Sequence, residues 1–146
     1  MNVYSIGFTQ KKAESFFKLI KTSNISKLVD VRLSNVSQLA GFAKKDDLKF
    51  FLKELCNVEY LHIPDLAPTK EMLNAYKKGD SSWSVYEEQF LNLMAKRNIE
   101  KYIDSELLDE SCLMCSEHLP HFCHRRLVIE YLNDCNNLNL TAKHLF

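Results

Sequence analysis

The chain is 146 residues long, and its nineteen basic and nineteen acidic residues give a formal net charge of zero at pH 7. This balance excludes the broad positive field that drives non-specific binding to nucleic acids or membranes. Hydrophobic residues make up 46% and charged residues 26%, with only three glycines and three prolines. This composition is typical of one folded domain, which we expect to span residues 1–146.

The amino terminus and the cysteine count bear on the compartment. Residues 1–4 lack the basic region and apolar run of an export signal, and no stretch approaches the roughly 18 apolar residues that span a bilayer. Five cysteines are an odd number, which favours thiols over a disulfide framework. We therefore expect a cytoplasmic protein with no membrane contact and no disulfide. Cys56 and Cys135 are expected to be buried, unreactive thiols at helix ends.

The first half of the chain predicts three strands. Residues 3–8 form the first, and Thr9 is a plausible N-cap for a helix with apolar residues at helical spacing, namely Ala13, Phe16, Phe17 and Ile20. Residues 27–32 form the second strand, and helical spacing returns at Leu48, Phe51, Leu52 and Leu55. Residues 58–63 form the third strand, which ends at a proline that would interrupt a central ladder.

The second half predicts helices and two further strands. Residues 68–108 are helical, and Ser84 and Glu87 have the spacing of a capping box. Residues 111–117 form the fourth strand. A last helix with an apolar stripe follows, and residues 140–145 close the chain as a fifth strand.

Strands that alternate with helices favour right-handed crossovers and a parallel sheet. We therefore predict an α/β fold with a mostly parallel five-stranded sheet, helices on both faces and a helical insertion before strand four. Strands one, two and four should be neighbours, because only then can the reactive residues that follow them share one crevice.

Ligands in open α/β sheets bind beyond the carboxyl ends of the strands. Reactive or polar residues follow four of the predicted strands, and we expect one shared site from them: Gly7 and Thr9, Asp30 and Arg32, Asp65, and finally Cys115, Glu117, Cys123, His124 and Arg125.

Asp30 and Arg32 lie two apart on a strand, so their side chains share a face. They can form an ion pair that fixes the strand end. Alternatively, the Arg32 guanidinium can bind a phosphate or carboxylate in bidentate fashion. The sequence leaves both alternatives open.

The segment from Cys115 to Arg125 is the predicted active site. A strand cysteine is often inert core, but a neighbouring His or Arg can make a thiol reactive. Cys123, His124 and Arg125 open the last helix, where free N–H groups favour an anion or a thiolate. The alternative is that His124 and Arg125 only cap carbonyls or pair with acids on the helix surface.

The same region could instead bind zinc. Four ligands could come from six residues in this region: Cys112, Cys115, His118, His121, Cys123 and His124. Cys112 and Cys115 are three apart, which places them on opposite faces of a strand, and no glycine makes a knuckle turn between them. We therefore predict no metal ligand and no cofactor, and a small-metal site at Cys115, His118, His121 or Cys123 is the third, less favoured alternative.

The residues resemble the mainly bacterial domain-of-unknown-function family 488 over essentially the whole chain. The likeness rests on several segments in order: Ile6-Gly7-Phe8-Thr9, Asp30-Val31-Arg32 with Ser37 and Gly41-Phe42, Tyr60 to Pro64 with Leu66, Leu113-Met114-Cys115-Ser116-Glu117, Cys123-His124-Arg125-Arg126, and His144. The resemblance implies an α/β fold and a cysteine-containing site, to which it adds Ser37 as a substrate-binding residue. It implies no particular reaction.

Two functions follow as hypotheses. The first is an enzyme, a cysteine-dependent hydrolase or transferase. It binds a nucleotide-like or phosphorylated anion on Gly7, Thr9, Asp30, Arg32, Ser37 and Arg125, and it uses Cys115, Glu117, Cys123 and His124 in catalysis. The second is a module that binds nucleic acid or a nucleotide without chemistry. In that module Trp83, Phe42 and Tyr60 would stack on bases, and Lys44, Lys45, Lys77 and Lys78 would contact phosphates.

Overall fold

Five parallel strands form the centre of the structure. The computed structural model describes residues 1–36, 41–117 and 120–146, and its strands are β1 (Asn2–Gly7), β2 (Lys27–Asp30), β3 (Glu59–His62), β4 (Ser111–Cys115) and β5 (Thr141–Leu145). Their order is β3-β2-β4-β1-β5, and every neighbouring pair is parallel. The predicted sheet is confirmed, and so is the adjacency of strands one, two and four.

Helices connect the strands and supply the predicted insertion. They are α1 (Ala13–Thr22), α2 (Lys45–Phe51), α3 (Lys70–Lys77), α4 (Trp83–Arg97), α5 (Ser105–Leu108) and α6 (His124–Asn136). Short 3₁₀ or π-helical turns lie at Gly41–Ala43, Leu52–Cys56, Pro64–Leu66 and Ile99–Lys101. The insertion before β4 therefore consists of α3, α4 and α5.

The sheet separates two hydrophobic cores, because successive strand residues point to opposite faces. Val29 and Leu113 belong to the core that α4 and α6 cover, together with Phe90 and Leu127. Their neighbours Leu28 and Met114 belong to the other core, which α1 and α2 cover with residues that include Phe16, Ile20 and Leu48. Helices on both faces explain why the central strands are apolar on both sides.

The strand register brings the functional segments together. Gly7 of β1 pairs with Cys115 of β4, and Asp30 of β2 pairs with Met114. The carboxyl ends of these three strands therefore meet at one edge of the sheet. β3 is an edge strand, and Pro64 lies two residues beyond its end, in the turn Pro64–Leu66.

Two predicted helix caps are wrong. Helix α1 begins at Ala13 after Lys12, and Thr9 instead donates its hydroxyl hydrogen to the Ser116 carbonyl oxygen at 2.7 Å. Helix α4 begins at Trp83, one residue before Ser84, because Ser82 is its N-cap and accepts a hydrogen bond from the Val85 N–H. At Thr9, a tertiary hydrogen bond to Ser116 takes the side chain away from α1. At α4, Ser82 makes the capping bond that the sequence pattern predicted for Ser84.

Leu55 and Cys135 are predicted to be buried, but both are exposed in the structure. The π-helical turn Leu52–Cys56 takes more residues per turn than an α-helix, so Leu55 rotates out of the apolar face and is exposed. Cys135 is exposed near the end of α6, and Cys56 is half-buried. Among the described residues, no helix is both long enough and apolar enough to cross a membrane.

The two-core arrangement gives a test of the fold. Phe16 and Phe50 lie on elements that cover the same sheet face, but Phe16 is fully buried whereas Phe50 is 59% exposed. We expect Phe16→Ala to lower the free energy of unfolding by about 3–5 kcal/mol in chemical denaturation. Phe50→Ala should change it by less than about 0.5 kcal/mol. Equal losses from the two variants would contradict the assignment of this core.

Candidate active site

A cavity of about 230 Å³ opens beyond the carboxyl ends of β2 and β4. Its reactive wall combines three segments: Arg32 after β2, Cys115 and Glu117 at the end of β4, and Cys123 and His124 at the start of α6. The opposite wall is aromatic and comes from the helical insertion and from the loop before α6. The insertion thus covers the site, as the sequence predicted.

Cys115 and Cys123 meet at this wall and are paired through their sulfur atoms. The expectation that all five cysteines are unpaired thiols is therefore wrong for these two; Cys56, Cys112 and Cys135 are free. The Cα atoms of the pair are 7.9 Å apart, which is wider than the range of roughly 4.4–6.8 Å found in most disulfides. The pair therefore differs from an ordinary structural cross-link.

Arg125 lies directly behind this pair and is 0% exposed. Its Nη1 donates to the Cys115 sulfur at 3.0 Å and to the Glu117 carbonyl oxygen, and its Nε donates to Ser5 Oγ at 3.1 Å. Burial lowers the pKa of Arg125 to about 10, so the guanidinium remains a cation at neutral pH. A buried positive charge in contact with a thiol favours the thiolate.

His124 is neutral at physiological pH. Its Nε2 lies 2.7 Å from the Val31 carbonyl oxygen, which can only accept, so Nε2 carries the proton. Burial lowers the pKa of His124 to about 4, and the Arg125 charge adds to this effect. The unprotonated Nδ1 lies 4.0 Å from the Cys123 sulfur. His124 is therefore a weak base at neutral pH, and its Nδ1 can accept a hydrogen bond from a Cys123 thiol.

Arg32 is held by an ion pair at the end of β2. Asp30 is fully buried and accepts from the Arg32 Nη2 at 2.8 Å and from the Tyr60 hydroxyl at 2.6 Å. Arg32 Nη2 also donates to the Ala43 carbonyl oxygen at 2.7 Å. The predicted ion pair is present, yet within the described part of the chain the Arg32 Nη1 atom has no hydrogen-bond partner.

The aromatic wall centres on Trp83. The Tyr86 ring stacks on it with centroids 5.1 Å apart, and the rings of Tyr76 and Phe122 contact it edge-on at 5.6 and 5.5 Å. Local spacing in the sequence indicates no ligand contact for Tyr76, Tyr86 or Phe122. Of the aromatic wall, only Trp83 is among the predicted ligand contacts, because spacing does not show which aromatic residues the fold brings together.

With this geometry established, comparison with known proteins places the chain. A family model described as "Domain of unknown function DUF488" matches residues 12–132. The chain belongs to the DUF488 family. No curated protein and no solved structure matches it. The matched region contains every residue of the reactive wall.

The structure separates the predicted site residues of this DUF488 chain into two groups. Four of them line the cavity with Arg32, namely Cys115, Glu117, Cys123 and His124. The others that the structure describes lie behind it: Gly7 and Thr9 join β1 to the end of β4, Asp30 holds Arg32, and Arg125 holds Cys115. Ser37 lies outside the described residues.

The residues considered for metal or nucleic-acid binding are largely dispersed. No group of three or more His, Cys, Asp or Glu side chains in the described ranges could hold a metal ion. Phe42 packs against Phe16 at a centroid distance of 5.2 Å, and Tyr60 is bonded to Asp30. Of the lysines named for phosphate contacts, Lys77 lines the cavity, as does Trp83.

The lowered pKa of His124 predicts a pH dependence of stability. In the unfolded chain this histidine binds a proton below its ordinary value of 6.5, whereas in the folded protein it does so only near 4. The unfolded state therefore binds more protons between these values, and stability must fall as the pH drops from about 6.5 to 4. The full loss attributable to His124 is about 3 kcal/mol.

His124→Gln tests this contribution, because glutamine can still donate to the Val31 carbonyl but does not titrate. We expect denaturation curves of the parent to show the acid loss and those of His124→Gln to show a markedly smaller one. The same acid slope in both proteins would contradict a buried neutral His124.

Proposed function

We propose that this DUF488 protein is a cysteine-dependent hydrolase or transferase that acts on a small anionic substrate in the cavity. One observation carries the proposal: the Cys115 sulfur borders the cavity and accepts a hydrogen bond from the fully buried Arg125 guanidinium. Besides connecting β1 to β4, a cationic donor that is buried against a thiol has a chemical effect, because it stabilises the thiolate that acts as a nucleophile.

Cys112 provides an internal comparison for Cys115. It lies three residues earlier on the same strand, in the other core, where burial raises the pKa of its thiol far above the ordinary value. Cys115 is equally buried, but its sulfur has the direct contact with Arg125. The Arg125 charge also acts to lower the pKa of Cys112, but burial outweighs it there, whereas Cys115 has the direct hydrogen bond; we therefore assign the nucleophile to Cys115.

Cys123 and His124 supply the second half of the site. Cys123 is the N-cap of α6, where the helix dipole favours negative charge, and the His124 Nδ1 lone pair faces its sulfur. His124 can thus accept a hydrogen bond from the Cys123 thiol once the pair is reduced. Cys123 has the position of a second thiol that can engage Cys115.

In the proposed reaction a cytoplasmic thiol reductant first opens the Cys115–Cys123 pair, and the Cys115 thiolate then forms a bond to an electrophilic atom of the substrate. The leaving group departs with its bonding electron pair and takes up a proton, which Glu117 can relay. Water then releases the product in a hydrolase, or a second substrate does so in a transferase. Arg32 would hold the anionic group during both steps, because its Nη1 has no partner within the part of the chain that the structure describes.

A module that binds a small anion without chemistry remains the second candidate, and the partly apolar cavity with Arg32 favours it. The size of the cavity, about 230 Å³, favours a small molecule over a nucleic-acid strand for either candidate. A cytoplasmic location belongs to the enzyme proposal as well, because a reducing compartment keeps Cys115 available as a thiolate.

Alkylation rates distinguish the two candidates. After reduction, iodoacetamide at mildly acidic pH should label Cys115 faster than the exposed Cys135, with peptide mass spectrometry as the measurement. Arg125→Lys keeps the charge but not the planar donor geometry, and it should slow the labelling of Cys115 by about tenfold. The labelling of Cys135 should be unchanged by this variant and serves as the control within each sample.

Equal or slower labelling of Cys115 relative to Cys135 would remove the basis of the enzyme proposal and leave the binding module. If Arg125→Lys does not fold, the comparison of Cys115 with Cys135 in the parent still decides between them.

A further inference from the structure

We propose that the ligand of the cavity is a small molecule with one planar aromatic ring and one anionic group. Its ring lies against Trp83 and Phe122, and its anion lies on Arg32. This inference rests on the site described for the proposed function and adds the chemical class of the substrate. Three independent observations carry it: the aromatic wall, the unsatisfied guanidinium and the charge and size of the cavity.

The aromatic wall is built to cover a ring. Trp83 is half-buried, and Phe122, which meets it edge-on at 5.5 Å, is 61% exposed. Folding alone gains little from an aromatic side chain left in water at the mouth of a cavity. Because the two rings are inclined at 74°, a flat ligand ring that stacks on one of them meets the other edge-to-face, and aromatic pairs prefer both of these contacts.

Arg32 supplies the anion contact. Its side chain is only 6% exposed, its Nε and Nη2 atoms are occupied by Asp30, and Nη1 has no partner in the described ranges. A buried donor without a partner is costly and calls for a ligand or ion. Arg32 lines the same cavity as Cys115, so an anionic oxygen bound to its guanidinium would bring the rest of the ligand into the cavity that the thiol borders.

The charges around the cavity favour a single anionic group. Arg32, Lys77 and, behind Cys115, Arg125 contribute three positive charges, while Glu117 on the wall and Asp30 behind Arg32 contribute two negative ones. This excess of one positive charge suits a single anionic group better than a polyphosphate. A volume of about 230 Å³ is also below the 300–1,000 Å³ of cavities that hold drug-sized ligands, which suits one ring system.

Two sources share this chemistry, namely aromatic carboxylates and nucleoside monophosphates, and the experiment includes both. Trp83 is the sole tryptophan of the sequence, so intrinsic fluorescence reports on the cavity directly. Titrations would use nicotinate and uridine monophosphate, their neutral counterparts nicotinamide and uridine, and the non-aromatic anions acetate and inorganic phosphate.

We expect at least one ring-bearing anion to change Trp83 fluorescence saturably and to bind about tenfold or more tightly than its neutral counterpart. Acetate and phosphate should bind at least tenfold more weakly than that anion. Which ring-bearing anion binds more tightly then identifies the source. Saturable binding by neither of them, or binding of acetate or phosphate that is equally tight, would overturn the proposal.

Two variants with matched exposure locate the ring. Phe122→Leu should weaken binding of the ring-bearing anion by roughly fivefold to tenfold, because leucine keeps apolar area but loses the flat face. Phe50→Leu changes an equally exposed phenylalanine on α2 and should have no effect. The same affinity in both variants would show that the ring does not lie against Phe122 and would refute this arrangement.

Failure of this proposal is distinguishable from failure of the proposed function. Cys115→Ser should bind the ring-bearing anion as the parent does, since the contacts are to Trp83, Phe122 and Arg32. If binding follows the ring and the charge while Cys115 is inert to alkylation, the ligand class stands and the enzyme does not. If Cys115 is reactive but a ring-bearing anion binds no more tightly than acetate or phosphate, the enzyme proposal stands and the ligand class does not.

Discussion

The structure depends on one buried charge. Arg125 is excluded from water, and a cation in such a position is costly unless its donors are satisfied. Its hydrogen bonds to Ser5 on β1, to the Cys115 sulfur on β4 and to the Glu117 carbonyl oxygen just beyond β4 supply that compensation. The same hydrogen bonds position the ends of β1 and β4 and the Cys115 thiol, so the fold and the site depend on the same residue.

That interaction extends to the edge of the sheet and organises the charges nearby. Ser5 Oγ lies 2.6 Å from His144 Nδ1, which connects β5 to the guanidinium through β1. Burial and the Arg125 charge lower the pKa values of His124, His144 and Lys11, with burial the larger cause for each. The lowered pKa values reduce the positive charge on these neighbouring groups. The Cys115 sulfur accepts a hydrogen bond from Arg125 directly, beside the neutral oxygen acceptors of Ser5 and Glu117.

Much of this architecture could be predicted from the sequence, because strand periodicity and helical spacing are local signals. They were enough for the parallel sheet, for the central position of β1, β2 and β4, and for a cluster of cysteines beyond β4. They failed where tertiary contacts decide, as at Thr9, whose hydroxyl bonds to Ser116 instead of capping α1. Arg32 lines the cavity, whereas Arg125 lies behind the thiol. This difference also depends on side-chain directions, which the spacing of residues in the sequence does not indicate. The pairing of Cys115 with Cys123 and the aromatic wall were missed for the same reason.

The central claim is that the Arg125 contact outweighs burial and keeps the Cys115 sulfur as a thiolate. The most direct measurement is a pH titration of the reduced protein, labelled with carbon-13 at the cysteine β-carbons and followed by NMR, since each cysteine is then observed separately. The account predicts that Cys115 titrates well below about 8.5, the value of a free thiol, while the buried Cys112 stays protonated through that range. A Cys115 titration at or above that of a free thiol would contradict the account.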